Sequence, residues 1–201
     1  WHWLQTVLIF GLIFTGMVIH KPDMFGMFSF NGIVFFHNGF ALILVINAAL
    51  AAFYHLVSGE IRQFLPEPRG FFGKMFAQVR YYAWGIFHDE PHPFEKTPDS
   101  KLNPVQQLTY FGLLNVLLPL QVITGILMWS AQHMPEFMNT IGGLSLLGPI
   151  HTMVSWAMAT FIVIHVYMTT TGHTPLANIN AMMVGWDEVE TSDHTTHSNQ
   201  S

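Results

Sequence analysis

The sequence contains no cysteine and has few charged residues. Without cysteine the chain forms no disulfide, ligates no iron–sulfur cluster or zinc finger of its own, and has no CxxCH motif for covalent cofactor attachment. Charged residues make up 9% of the 201 residues, compared with about 25% in soluble domains, which excludes an ordinary soluble enzyme. Seven Lys and Arg against twelve Asp and Glu give a formal charge of −5, so no basic surface indicates a nucleic-acid partner.

Long stretches without any charged residue alternate with loops that carry the charges. A membrane-spanning helix needs about 20 mostly apolar residues to cross a hydrocarbon core of about 30 Å. The pattern therefore predicts an all-α integral membrane protein, a four-helix bundle with spans at residues 3–20, 33–57, 106–129 and 147–170. Pro119 lies inside the third span, where neighbouring groups can satisfy the backbone, so we expect a kink and not a break.

Positive charge is concentrated in one loop. Six of the seven Lys and Arg residues lie between the second and third spans: Arg62, Arg69, Lys74, Arg80, Lys96 and Lys101. The positive-inside rule makes this loop cytoplasmic. With four spans, both termini are then cytoplasmic as well.

The cytoplasmic loop has an apolar repeat at helical spacing, formed by Phe72, Met75, Phe76, Val79, Ala83 and Ile86. Lys74, Gln78 and Arg80 stand between these residues, a pattern that predicts a helix lying in the membrane interface. Such a helix either covers the bundle or offers a docking platform to a soluble partner. We assign residues 1–186 to one membrane domain and residues 187–201 to a polar, disordered tail.

The chain has twelve histidines, unusual in so apolar a composition. Ionisable residues inside a membrane are costly and face the bundle interior or a cavity. His151 and His165 are separated by about 21 Å along a helix and lie within about 40° of one face. Since a neutral imidazole is a suitable axial ligand for haem iron, this span predicts two stacked haems, one near each membrane surface, each clamped by a second helix.

The second ligand of each haem is less well defined by spacing. His2 stands at the cytoplasmic mouth of span one and His37 near the outer mouth of span two. By depth alone they face the inner and the outer histidine of span four, respectively. His20 and His55 lie five full turns from His2 and His37 and share their helix faces. His20 is therefore a rival ligand for the outer haem, and His55 for the inner one.

Several longer motifs carry a family resemblance over nearly all of residues 1–186. They are WHW followed by TG, HNGF, EPHPFEKTPDSKLNPVQQLTY, VITGILMW and HTMVSWAMATFIVIHVYMTTTGHTPLANINAMMVGW. In these the chain resembles the cytochrome b subunits of formate dehydrogenase and, more closely, of thiosulfate reductase-type complexes. Its central loop is longer than in the formate dehydrogenase subunits, so docking details do not transfer.

The resemblance implies a four-helix membrane anchor with two non-covalent b haems that exchanges electrons between quinone and a soluble redox subunit. Carried over by motif, His2 and His165 would hold the cytoplasmic-side haem, and His37 and His151 the outer one. His20 and His55 match no ligand position. The implied location is the bacterial or archaeal cytoplasmic membrane. The implied partner holds iron–sulfur or other redox centres at the outer face.

The segment before span three has two interpretations. Asn103 as N-cap, Pro104 at the first helical position and Gln106 three residues after the cap form a strong helix-start signature. Asn103 and Gln106 also offer neutral polar groups beside the expected inner haem. In the resembling family this segment lines the site of the quinone, menaquinone or ubiquinone. Both interpretations can hold together, because a cap does not use every donor.

The expected activity is electron transfer through a quinone-reactive subunit that does not carry the main substrate chemistry of its complex. No nucleophile–base pair, phosphate loop or carboxylate dyad indicates other catalysis. Two alternatives remain. One is a stand-alone transmembrane reductase similar to cytochrome b561, for which a liganded His55 would speak. The other is a haem-free transporter or anchor, which the scarcity of Asp and Glu within the spans disfavours.

Overall fold

The structure is a computed structural model that describes residues 1–65, 70–88, 90–91, 93–94, 102–131, 133–170 and 176–185. Over these ranges the chain is helical and has no strand. The chain divides into two compact units, Trp1–Ala157 and Met158–Ser201. The predicted tail of residues 187–201, and residue 186 at the end of the predicted membrane domain, lie outside the described residues.

Four helical segments are long and apolar enough to cross a membrane. They are α1 (His2–His20), α2 (Phe30–Ser58), the segment Pro104–Ser130 formed by α4 (Pro104–Gly112) and α5 (Leu118–Ser130), and α7 (Gly143–Thr169). The four predicted spans are confirmed, and with them the all-α, multi-pass membrane fold.

The spans expose large apolar side chains along their length. Val7 on α1 is 69% exposed, Phe35 on α2 74% and Val163 on α7 70%. Soluble monomers rarely expose continuous apolar surface of this kind. In a bilayer these side chains meet lipid, while each helix satisfies its own backbone hydrogen bonds.

The third span passes through Pro119 without ending. Proline has no N–H, and its ring clashes with the carbonyl of the residue four positions earlier. A π-helical turn, Leu113–Leu117, joins α4 to α5 just before the proline. The side-chain amide of Asn115 donates to the Phe111 carbonyl at 2.9 Å. The helix therefore continues, as predicted, by widening one turn.

α1 and α2 form a closely packed helical hairpin. A short 3-10 helix, Pro22–Phe25, follows α1, and the Ser29 hydroxyl accepts the Gly32 N–H at the start of α2. A Cβ at Gly11 on α1 would lie 2.9 Å from a ring carbon of Phe40 on α2. Glycine at this position thus permits the close approach of the two helices.

The predicted interfacial helix is α3 (Phe71–Ala83), followed by a 3-10 helix at Gly85–Phe87. Its exposed and buried faces differ from those of a helix on a soluble protein. Phe72 and Phe76 are 69% and 67% exposed, whereas Gln78 is 1% exposed. Exposed apolar side chains of this kind are typical of a helix that lies in the membrane interface, the location that the sequence predicts.

Two shorter helices complete the described chain, α6 (Pro135–Thr140) and α8 (Ala177–Val184). α7 begins four residues before the predicted start of span four. Gly142 and Gly143 adopt positive φ angles of 96° and 62°, a conformation that other residues rarely adopt. This glycine turn sets the start of α7, and Pro149 lies inside the helix.

Candidate haem-binding site

Two of the four predicted ligands face each other within the unit Trp1–Ala157. The rings of His37 on α2 and His151 on α7 have their centroids 6.4 Å apart, with an interplanar angle of 68°. His37 lies seven residues after the start of α2, and His151 eight residues after the start of α7. Both are therefore about 10–12 Å along their helices from the same end of the spans. We call these two residues the imidazole pair.

Thr15 on α1 contacts the His37 ring at Nδ1. Its hydroxyl lies 2.8 Å from Nδ1 of His37 and 2.7 Å from the Gly11 carbonyl oxygen. A hydroxyl has one proton, and a carbonyl oxygen only accepts. The proton therefore goes to Gly11, and the Thr15 oxygen accepts the Nδ1–H of His37.

Thr124 on α5 makes the same arrangement with His151. Its hydroxyl lies 2.9 Å from Nδ1 of His151 and 2.7 Å from the Leu120 carbonyl oxygen. By the same reasoning, Nδ1 of His151 carries a proton that it donates to Thr124. These hydrogen bonds favour the Nδ1–H tautomer of both imidazoles, in which Nε2 carries the lone pair that could bind a metal.

A glycine follows each threonine and allows the ring to approach. A Cβ at Gly125 would meet Cε1 of His151 at 3.3 Å, and a Cβ at Gly16 would meet Cε1 of His37 at 3.6 Å. The first contact is tight and the second is ordinary van der Waals contact. Both rings thus rest against Thr-Gly segments, with less room at His151.

Gln121 occupies the Nε2 side of His151. Its side-chain nitrogen lies 3.0 Å from Nε2 of His151 and 2.7 Å from the Ser155 hydroxyl. Its buried Oε1 has no hydrogen-bond partner, which is unfavourable for a buried acceptor. The Gln121 amide is therefore only partly satisfied where it lies.

The other two predicted ligands lie near helix ends, His2 at the start of α1 and His165 near the end of α7. His2 is the first residue of α1, and its ring meets Trp3 edge-on at a centroid distance of 5.5 Å. His165 lies on α7 in the unit Met158–Ser201, stacked on Phe161 with centroids 5.5 Å apart and planes 15° apart. Each lies at a helix position suited to a ligand near a membrane surface.

The two rival histidines differ in their surroundings. His20 is the last residue of α1. His55 donates its Nδ1–H to the Ala51 carbonyl at 2.8 Å. Its ring packs among Trp1, Tyr54 and Phe64, with centroid distances of 5.4–6.2 Å.

Asn103 and Gln106 form a complete capping box at the start of α4. Oδ1 of Asn103 accepts the Gln106 N–H at 2.9 Å, and Oε1 of Gln106 accepts the Asn103 N–H at 3.1 Å. The Asn103 amide also donates to the Tyr82 hydroxyl on α3 at 2.7 Å. The predicted cap is confirmed, and it ties the interfacial helix to the entrance of the third span.

Tyr82 is a half-buried member of this cluster and lies outside the membrane-spanning segments. Burial raises the pKa of its hydroxyl, although the hydrogen bonds of Asn103 and Gln78 act in the opposite direction. The hydroxyl therefore stays protonated well into alkaline conditions.

Thr15, Thr124 and Gln121 had not been predicted as site residues. A threonine or a glutamine within an apolar span does not by itself indicate a functional site. The recurrence of Thr-Gly in two different spans was the available clue. It becomes informative only once each threonine is seen beside a histidine of another helix.

Apolar spans that bring two oriented imidazoles together are typical of a membrane-embedded cytochrome of the b type. The comparison with known families agrees: the family described as "Prokaryotic cytochrome b561" matches residues 1–185. The chain belongs to this family.

One curated relative is 29% identical over 186 residues, which is 92% of this chain and 70% of the relative. It is described as "Putative cytochrome YdhU" of Escherichia coli (strain K12). No solved structure matches the chain. The predicted b-type cytochrome is thus confirmed, whereas the formate dehydrogenase or thiosulfate reductase type remains a prediction. Family membership also removes the haem-free transporter or anchor from the alternatives.

The imidazole pair fits the b-type haem that the family implies. In each ring a threonine hydroxyl lies beside Nδ1, so Nε2 is the nitrogen that could bind the iron. The ring centroids of the two histidines lie 6.4 Å apart. No cluster of three or more His, Asp or Glu side chains forms a metal site among the described residues, and a haem needs only two such ligands.

Proposed function

We propose that the chain is the membrane-anchoring cytochrome b subunit of a respiratory oxidoreductase complex. In this role it carries electrons across the membrane between the quinone pool and a partner redox subunit. The observation that carries the proposal is the imidazole pair, His37 and His151, with Nδ1 of each ring bonded to a threonine. Rings already held in the ligating tautomer favour metal binding.

Two b haems per chain are proposed, each with two histidine ligands. His37 and His151 would hold the outer haem, and His2 and His165 the cytoplasmic-side haem. The first pair is supported by its ring separation. The second pair is supported by helix position and by the resemblance of the HW and HVY motifs.

Haem iron, when bound, supplies one-electron chemistry by changing between its ferric and ferrous forms. The chain's own residues orient the ligands and keep water away. Thr15 and Thr124 fix the two rings, and the buried Leu44 and Val154 line the same helices with apolar surface. Burial, axial ligands and hydrogen bonds of this kind set the reduction potential.

A quinone site is proposed at the cytoplasmic edge, around Asn103 and Gln106. Their direct hydrogen bonds to each other and to Tyr82 show that these side chains also have a structural task. Support for the site comes from neutral polar groups beneath an apolar interfacial helix and from the family resemblance. The exchangeable substrate would be menaquinone or ubiquinone.

The proposed location is the bacterial or archaeal cytoplasmic membrane, with both termini cytoplasmic. The placement of Lys and Arg between the second and third spans supports this orientation. The proposed partner binds at the outer face, near the imidazole pair, and holds the iron–sulfur or other centres that this cysteine-free chain lacks.

The test is reduction of the purified, full-length protein by quinol. We expect quinol to produce the reduced b-haem spectrum, and acid–acetone to extract the haem because no covalent attachment motif exists. His88→Ala is the matched control, since His88 stacks on Trp84 outside the spans. A full-length protein without haem, or with haem that quinol does not reduce, contradicts the proposal.

A stand-alone transmembrane reductase of the cytochrome b561 kind is the second candidate. The description of the matching family favours it. Its ligands would pair over a different set of helices and would include His55. Loss of a haem in His55→Ala supports this candidate, and retention of both haems rejects it.

A further inference from the structure

Two Thr-Gly segments on different helices contact the imidazole pair in the same way. Thr15-Gly16 lies in the second half of α1, and Thr124-Gly125 lies in the middle of α5. Each threonine bonds Nδ1 of a histidine on another helix, at 2.8 and 2.9 Å. Each glycine leaves that histidine's Cε1 close to the helix backbone.

The hydrogen bonds have a defined direction. Each hydroxyl donates to the carbonyl four residues earlier at 2.7 Å, Thr15 to Gly11 and Thr124 to Leu120. Each then accepts the Nδ1–H of its histidine. Hydrogen bonds in such a chain polarise one another, so the backbone carbonyl makes the threonine oxygen a better acceptor.

We infer that the two Thr-Gly segments are a matched pair of positioning elements that act on one haem from both sides. This inference rests on the proposed function, in which His37 and His151 ligate the same iron. A ring whose Nδ1–H is hydrogen-bonded is a more basic ligand. Since a more basic ligand favours the ferric state, both threonines lower the reduction potential of the outer haem, and both also fix the ring orientation.

The experiment measures the midpoint potentials of the haems by optical redox titration in Thr15→Val, Thr124→Val and the double variant. Valine keeps the shape of threonine and removes the hydroxyl. Loss of such a partner typically changes metal affinity or activity by about 10–100-fold. We expect each single variant to raise the reduced-to-oxidised ratio of one haem about tenfold, which is about 59 mV for one electron.

Both single variants must shift the same haem, in the same positive direction, and the double variant must shift it further. The other haem keeps its potential. Thr109→Val is the matched control, because Thr109 also donates to the carbonyl four residues earlier, that of Val105 at 2.7 Å, and has no proposed ligand role. Thr15→Ser and Thr124→Ser retain the hydroxyl and are expected to keep the wild-type potential.

Unchanged potentials in both valine variants with haem bound overturn the inference. Where a valine variant releases the haem, the serine variant at the same position decides. A wild-type potential in the serine variant supports the role of the hydroxyl. A shifted potential or a loss of haem in the serine variant assigns the role to packing and overturns the inference. Failure of the proposed function is distinguishable, since wild-type protein would then lack haem, or His37→Ala and His151→Ala would retain every haem.

Discussion

The different clearances behind the two rings predict different outcomes for one substitution made twice. Gly125→Ala places a Cβ 3.3 Å from Cε1 of His151, so the ring or the helix must yield by a few tenths of an ångström. Gly16→Ala places a Cβ 3.6 Å from Cε1 of His37, which is an ordinary contact. Each variant is thus the control for the other.

The magnitudes follow from two opposing terms. Replacing glycine by alanine inside a helix gains about 0.5–1 kcal/mol, and overpacking a filled site costs about 1–3 kcal/mol. Gly16→Ala is subject only to the favourable helix-propensity term, so we expect this variant to be as stable as the wild type or about 1 kcal/mol more stable. Gly125→Ala is subject to both the helix-propensity term and the overpacking term, and we expect it to be about 1–3 kcal/mol less stable than Gly16→Ala.

The assay is thermal unfolding of the haem-loaded protein in one detergent, followed by circular dichroism and by loss of haem absorbance. Gly125→Ala should release haem at a lower temperature than the wild type, because the displaced ring is His151. Equal stability of the two alanine variants, or a less stable Gly16→Ala, refutes the reasoning about ring clearance.

Three further perturbations have defined outcomes. Asn103→Ser keeps an N-cap but loses the bond to Tyr82, and Gln106→Leu loses the capping-box partner. Both variants should slow haem reduction by quinol in a stopped-flow assay while both haems stay bound. Wild-type rates in both variants would show that the segment is only a helix cap. Gln121→Leu should destabilise haem-depleted protein by about 1–3 kcal/mol more than haem-loaded protein in denaturant unfolding, because Nε2 of His151 loses a partner only where no iron binds it. Equal destabilisation of the two forms would contradict this. The pKa of the Tyr82 hydroxyl is raised, so its contribution to stability is complete below its unfolded pKa of about 10 and is lost as pH rises through the folded pKa. The stability of Tyr82→Phe should therefore depend less steeply on pH under alkaline conditions. Identical pH profiles of the variant and the wild type would contradict this.

The spans were predictable from the sequence because hydropathy and length are nearly sufficient in a bilayer. The least accurate boundary was the start of α7, which lies four residues before the predicted start of span four. The structure shows that Gly142 and Gly143 make the turn and that Pro149 lies within the helix.

The polarity of α3 could not be predicted from the apolar repeat alone. The repeat identifies two helix faces, but it does not say which one faces outward. Gln78, which stands between the apolar residues of the repeat, is buried, whereas Phe72 and Phe76 of the repeat are exposed. The outcome depends on the surrounding solvent, which the sequence of one helix does not specify.

Two of the four predicted histidines meet in the candidate site, whereas the threonines beside them were not predicted. His37 and His151 were matched by depth along their spans, which follows from helix rise. Thr15 and Thr124 act across helices, and contacts of this kind depend on helix rotation and packing. A single sequence defines neither.

The central claim, that His37 and His151 ligate one and the same haem, is tested most directly by counting haems. The measurement is a pyridine haemochrome assay per chain on wild-type, His37→Ala and His151→Ala proteins, combined with a redox titration that identifies the remaining haem. The account predicts two haems in the wild type and one in each variant, with the same midpoint potential in both variants. Retention of two haems in either variant, or loss of different haems from the two, contradicts it.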